Sequence, residues 1–199
     1  MRKTRIYLVR HGEITGSGVF RYNGQTDVPL SPRGLGQYQL LADRLADRPI
    51  AACYSSDLMR CAEGARILCA RRGIEPVLKT ELRELSFGNW EGMTWDELAE
   101  RYPDQWQARM NDFVGYRVPD GENLHDLQTR LMPVVEQIIG RHQDEEVILV
   151  GHGGTNRVIL LSALGAPLSS MFRIEQDFGC LNIIDYYADG HPVVKLLNG

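Results

Sequence analysis

The chain has little of what marks several common protein classes. Its 199 residues include four cysteines, at positions 53, 61, 69 and 180, and none forms a C-x-x-C pair. A disulfide framework or cysteine-based zinc site therefore has no basis, and buried reduced thiols acting as small apolar side chains are expected. No run approaches the ~18 apolar residues of a membrane span. The apolar stretch after the basic start "MRKTRIYLVRHGE" is too short for a signal peptide. A membrane partner is not expected, and the cytoplasm is the expected location. Basic residues are not in excess: 22 Lys and Arg stand against 26 Asp and Glu, a formal charge of −4. That balance speaks against a nucleic-acid partner, which calls for a basic stripe. It still allows cations to be focused in one cleft. There is no P-loop, no H-E-x-x-H and no Cys–His cluster, so neither a nucleotide triphosphate, a metal nor another cofactor is implied.

What is present is a regular alternation. "RIYLV" reads as a buried strand. "LSPRGLGQYQLLADRLADR" follows as a helix, with Ser31 as N-cap, Pro32 at its first position and apolar residues at helical spacing. "IAACYSS" is a strand and "DLMRCAEGARILCARRG" a helix ending at Gly73, with Arg71 and Arg72 placed to complement its C-terminal end. "EPVLKT" is a short strand. "NLHDLQTRLMPVVEQIIGRH" is the longest helix, with Asn123 as N-cap and a kink expected at Pro133. "EEVILVG" is a strand, "TNRVILLSALG" a helix, and "CLNIIDYYADGHPVVKLLN" a hairpin turning at Asp189-Gly190. The expected fold is a three-layer α/β/α sandwich on a mostly parallel, mixed sheet of about six strands. One domain is expected over 1–199, with a cap-like insertion at about 81–122 that holds all three tryptophans.

In such folds ligands bind beyond the carboxyl ends of the strands. The first strand ends in Arg10-His11-Gly12, the second runs into a helix start with Arg60 in its first turn, and "VILVG" ends in His152-Gly153-Gly154. If these strands are parallel neighbours, two arginines and two histidines meet on one rim. Two helix N-termini then point at it, with glycines that let backbone approach a ligand. This is an anion site, and arginine's planar fork makes phosphate the natural guest.

"LVRHGE" at 8–13, "SSDLMRCAEGA" at 55–65, "LRELSFGNWEG" at 82–92 and "VGHGG" at 150–154 resemble the four blocks of the histidine phosphatase superfamily, the phosphoglycerate-mutase-like group. They follow the family's order and cover the chain from residue 6 to about 165. The resemblance implies a phosphohistidine intermediate with His11 as nucleophile, which needs a neutral imidazole of fixed tautomer. A backbone carbonyl near Gly12 is the expected partner of its other nitrogen. Arg10, Arg60 and His152 match the phosphate pocket, His152 helping most when protonated, and Gly153 joins them as a substrate contact. Glu84 matches the proton donor, a role that requires a proton on it at the working pH. Without the flanking motif, Glu84 would read as a surface partner of Arg83. Glu13 ranks behind it as an acid, and Glu91 reads as structural or as part of the substrate rim. One departure is visible: the family pattern "RHGET-x-x-N" is here "RHGEITGS". Ser17 therefore stands at the Asn place as a substrate ligand, with Thr15 as the alternative if the loop shifts by one residue.

The implied activity is a metal-independent phosphomonoesterase acting on a small phosphorylated metabolite, in a monomer or homodimer. The alternatives are a phosphoglycerate mutase and a non-catalytic phosphoryl-ligand binding module. Cofactor-dependent mutases of the family typically run longer, with a covering C-terminal tail, so a chain ending in "VVKLLNG" resembles the short phosphatase branch. "RYNGQTDVPLSPRG", "LRELSFGNWEGMTWDEL" and "VPDGENLHDLQTR" look most like the α-ribazole phosphatase group, which acts in cobalamin biosynthesis. The tryptophans of the insertion are then either a wall for an aromatic leaving group or simply its small core.

Overall fold

The computed structural model describes residues 2–199. Six strands form one sheet: β1 (Lys3–Arg10), β2 (Ile50–Ser56), β3 (Val77–Lys79), β4 (Glu146–Gly151), β5 (Leu181–Tyr187) and β6 (Pro192–Leu196). Their order is β3-β2-β4-β1-β5-β6. The first four are parallel, and the terminal hairpin pairs antiparallel to β1 and to itself.

Side chains alternate across this sheet, as the two-residue period of a strand requires. Ile6, Leu8, Val147 and Leu149 face one core, which packs against α5 (Leu124–Arg141) and α6 (Gly153–Leu164). Tyr7, Val9, Ile148 and Val150 face the other, against α1 (Pro32–Arg44) and α2 (Met59–Cys69). The expected three-layer arrangement is thus present, with a mixed, mostly parallel sheet.

Local chemistry accounts for the helix starts. The Ser31 side chain accepts from Gly34 N–H ahead of Pro32. Asn123 and Asp126 make a reciprocal capping box on α5, and that helix runs unbroken through Pro133. The expected end of α2 at Gly73 is corrected to Cys69. Arg71 and Arg72 do not cap their own helix: Arg71 pairs with Asp43, and Arg72 donates to the carbonyls of Leu45 and Ala46 at the end of α1. Tertiary partners outcompete the local dipole there. All four cysteines are free and buried.

Between β3 and α5, two short helices, α3 (Trp95–Arg101) and α4 (Pro103–Asn111), gather around a separate small core of Trp90, Leu98 and Val118. Tyr22, from the loop after β1, packs into that core. No helix among the described residues is long and apolar enough to cross a membrane.

Gly64 on α2 packs directly against α1. A Cβ there would sit 1.8 Å from the ring of Tyr38, which is itself fully buried. Gly64→Ala should therefore destabilise the fold by about 1–3 kcal/mol through overpacking. Urea unfolding of the variant beside the native chain measures this.

Candidate active site

β1, β4 and β2 lie side by side and in register, so their carboxyl ends share one edge. His11 N–H donates to the Gly151 carbonyl at 3.0 Å, which carries the β1–β4 ladder one residue past the strand. The imidazole rings of His11 and His152 consequently stand 5.2 Å apart, edge to face. Beyond them opens a cleft of about 480 Å³.

His11 is buried, and its Nδ1 lies 2.8 Å from the carbonyl oxygen of Gly12. That oxygen can only accept, so Nδ1 carries the proton and Nε2 keeps a free lone pair. Burial, then the charges of Arg10 and Arg60, hold the His11 pKa well below the usual histidine range. The ring is a neutral nucleophile of defined tautomer.

Arg10 is held by the Gln176 carbonyl and lies over the Phe178 ring at 4.1 Å. Its Nε is buried and has no hydrogen-bond partner among the described residues. An unsatisfied charged donor of this kind is costly unless an anion meets it. Arg60 donates to the carbonyls of Thr26 and Gly24, both at 2.7 Å, and through Nε to His152 Nδ1 at 3.3 Å. The partners of both arginines are thus neutral acceptors, so their charge is left for a ligand.

His152 has no exposed surface, and its ring stands against that of His11 rather than on the open cleft lining. Burial, with Arg60, His11, Arg10 and Arg130 around it, pushes its pKa well below the usual histidine value. In the protein alone it is therefore neutral, not protonated. Arg60 donating to Nδ1 leaves its proton on Nε2.

The glycines and helix ends also differ from expectation. At Gly12 a Cβ would meet the Gly34 carbonyl oxygen at 2.6 Å, so the missing side chain lets the chain pass the first turn of α1. Gly153 does line the cleft, with Arg10 Nε 3.4 Å from where its Cβ would be. The N-terminus of α2 is not free for an anion, because Asp27 accepts from Met59 N–H and Ser56 from Leu58 N–H. α6 presents its N-terminus to the cleft, and there Glu84 accepts from Gly154 N–H at 2.8 Å.

Glu84 therefore sits on the cleft wall. Arg83 does not claim it, pairing instead with Asp57. Its backbone carbonyl is gripped by Arg130 and Gln25, each at 3.2 Å. Glu13 lies outside the cleft lining, bound by Ser31 and Arg33. Glu91 accepts from Gln25 N–H and the Thr26 hydroxyl, fixing the loop whose carbonyls hold Arg60. Ser17 lines the cleft, whereas the Thr15 hydroxyl is turned to the Pro29 carbonyl. Trp95 stands on the cleft wall, while Trp90 and Trp106 belong to the small core.

Sequence reasoning missed Phe178, Gln176 and Arg157. The first two follow α6 in a stretch without motif. Arg157 had a signal, as a lone cation inside the apolar "TNRVILLSALG" one turn past Gly153, and it does line the cleft. Among the described residues no group of three or more His, Cys, Asp or Glu side chains is arranged to hold a metal ion.

The profile of the histidine phosphatase superfamily (branch 1) matches residues 6–199. The chain is 33% identical over 196 residues to the bifunctional protein Rv2228c of Mycobacterium tuberculosis, covering 98% of this chain and 54% of that protein. It thus spans about half the length of that relative. It is 32% identical over 183 residues to the probable phosphoglycerate mutase GpmB of Yersinia pestis, covering 92% of this chain and 85% of that one. The α-ribazole phosphatase of Shigella flexneri superposes with a TM-score of 0.91 at 26% identity, covering 98% of this chain and 96% of that one.

The depressed pKa of His11 and of His152 makes a stability prediction. Below the ordinary histidine value the unfolded chain binds protons that the folded rings refuse, so stability should fall as pH drops below about 6.5. Each ring contributes a slope of up to about 1.4 kcal/mol per pH unit. Urea unfolding at pH 7.5, 6.5 and 5.5 should show this loss, and the His11→Asn/His152→Asn variant should show a flatter profile.

Proposed function

The chain belongs to the histidine phosphatase superfamily, whose members act as phosphatases or mutases, and on that premise we propose that it is a phosphomonoesterase working through a phosphohistidine. The observation that carries this reading is the His11 tautomer fixed by the Gly12 carbonyl, beside arginines whose direct hydrogen-bond partners are carbonyls and an imidazole.

In the first step the His11 Nε2 lone pair attacks phosphorus, and the bond from phosphorus to the ester oxygen breaks. Arg10 and Arg60 stabilise the charge on the transferring oxygens, which is the main demand of phosphoryl transfer. Gly153 and Ser17 border the same space. His152, its ring 5.2 Å from that of His11 and its Nε2 3.4 Å from Cys61 Sγ, backs the nucleophile's ring from the buried side of the pocket. Glu84 gives its proton to the departing alkoxide. In the second step the Glu84 carboxylate takes a proton from water, which attacks phosphorus and releases inorganic phosphate and neutral His11. No metal ion or other cofactor enters this scheme.

We read residues 81–122 as a cap that walls the leaving group. α-Ribazole 5′-phosphate is the specific candidate substrate, supported by the likeness to the Shigella enzyme. Mutase activity is the second reading. It is favoured by the GpmB relative and by Arg157, a further cation on the cleft wall.

His11→Ala should abolish the acid-labile phosphoenzyme seen after rapid quench with labelled substrate. A persisting adduct would place the nucleophile elsewhere. Glu84→Gln should lower kcat/KM on alkyl phosphates by about 10²–10⁴-fold and on aryl phosphates far less, because aryloxides leave without help. Equal losses on both would remove Glu84 from the acid role. Incubation with 3-phosphoglycerate and its bisphosphate separates the two readings: a phosphatase releases inorganic phosphate, whereas a mutase yields 2-phosphoglycerate.

A further inference from the structure

The mechanism acts at the phosphoryl end of the cleft, and the cap reading leaves open which side chains at the other end receive the leaving group and what shape they select. There Val19, Phe20, Trp95 and Phe172 remain 56, 61, 55 and 71% exposed, all on the wall of the same cleft. Apolar side chains scattered singly over a surface are ordinary; four gathered on one concave wall mark a binding surface.

Their rings fall into two groups. Phe20 packs edge-on against Trp95 at 5.3 Å and against Tyr22 at 5.5 Å. Phe113 packs against Phe172 at 4.5 Å. Behind the second group, the buried Arg109 guanidinium lies 4.2 Å over the Phe113 ring and donates to the Phe113 carbonyl. The inner ring is thereby held while Phe172 stays open. Among the described residues no ring of the first group pairs with a ring of the second, although both line the cleft.

We propose that the two groups form a seat for a planar aromatic or fused-ring leaving group, so that the preferred substrates are phosphomonoesters of bulky apolar alcohols rather than of small polyols. This rests on the phosphomonoesterase reading above. A flat ring between the two groups would take apolar surface on ligand and protein out of water together, and offset or edge contacts would orient it. A small polyol would cover little of that surface, and the phenyl rings of Phe20 and Phe172 offer its hydroxyls no hydrogen-bond partner.

Esters of primary alcohols separate size from leaving-group chemistry: glycerol 1-phosphate, benzyl phosphate and 2-naphthylmethyl phosphate. kcat/KM should rise by about tenfold or more from the first to the last, as burial of one or two rings predicts. The Phe20→Ala/Phe172→Ala variant should cut the naphthylmethyl-to-glycerol ratio by about fivefold or more. Both side chains are mostly exposed, so the fold does not depend on them. Calorimetric binding of 2-naphthylmethylphosphonate against methylphosphonate reads the seat without turnover. Hydrolysis with no size preference would overturn the seat and leave the hydrolase reading standing. Preferential phosphonate binding with no turnover of any ester would overturn the hydrolase reading and keep the seat. Absence of both would overturn both.

Discussion

The site depends on the parallel pairing of β1 with β4. Arg10 lies opposite Gly151 in that ladder, and the His11 amide closes its last hydrogen bond onto the Gly151 carbonyl. Two histidines 141 positions apart in the chain are thus set in ring contact. A slip of one residue would turn Ile6 and Leu8 to the wrong core and carry His11 with them. The hydrophobic alternation that stabilises the sheet is therefore also what aims the nucleophile.

Around this pairing the fold concentrates positive charge. Arg10 and Arg60 are held by carbonyls, which orient a guanidinium without cancelling its charge. Carboxylates are used one step further out. Glu91 fixes the loop that presents the Gly24 and Thr26 carbonyls to Arg60. Glu122 fixes Arg130, which in turn grips the carbonyls of Glu81, Arg83 and Glu84. Glu91 and Glu122 thereby brace the arginines from behind, while Glu84 and Glu175 share the cleft wall with Arg10, Arg60 and Arg157. The same field, together with burial, keeps both histidines neutral, which suits a nucleophile and denies His152 a proton in the protein alone.

Much of this was legible in the sequence. The strands declared themselves by short apolar runs ending in polar pairs, and the helix starts by Ser31-Pro32 and by Asn123 with Asp126. The motif blocks named Arg10, His11, Arg60 and Glu84, and the family pattern offered Ser17 with Thr15 as the alternative; Ser17 is the one that lines the cleft. The expectations that failed concern partners supplied from far away. Arg72 follows the end of α2 yet serves the carbonyls of α1, and the close neighbour that requires glycine at position 12 is Gly34 in α1. The α2 N-terminus is taken by Asp27, a residue from a loop with no periodicity to announce it.

The sequence by itself determined the alternating α/β order, the strand ends that carry the chemistry and the family they belong to, because these are written in local periodicity and contiguous motifs. The tertiary structure alone decided which charges remain unpaired, which tautomer His11 holds, that the buried His152 ring stands against that of His11, and that Phe178 and the rings of Phe113 and Phe172 border the cleft. Those properties depend on burial and on contacts between segments far apart in the chain, and no local pattern encodes the low-dielectric surroundings that set them.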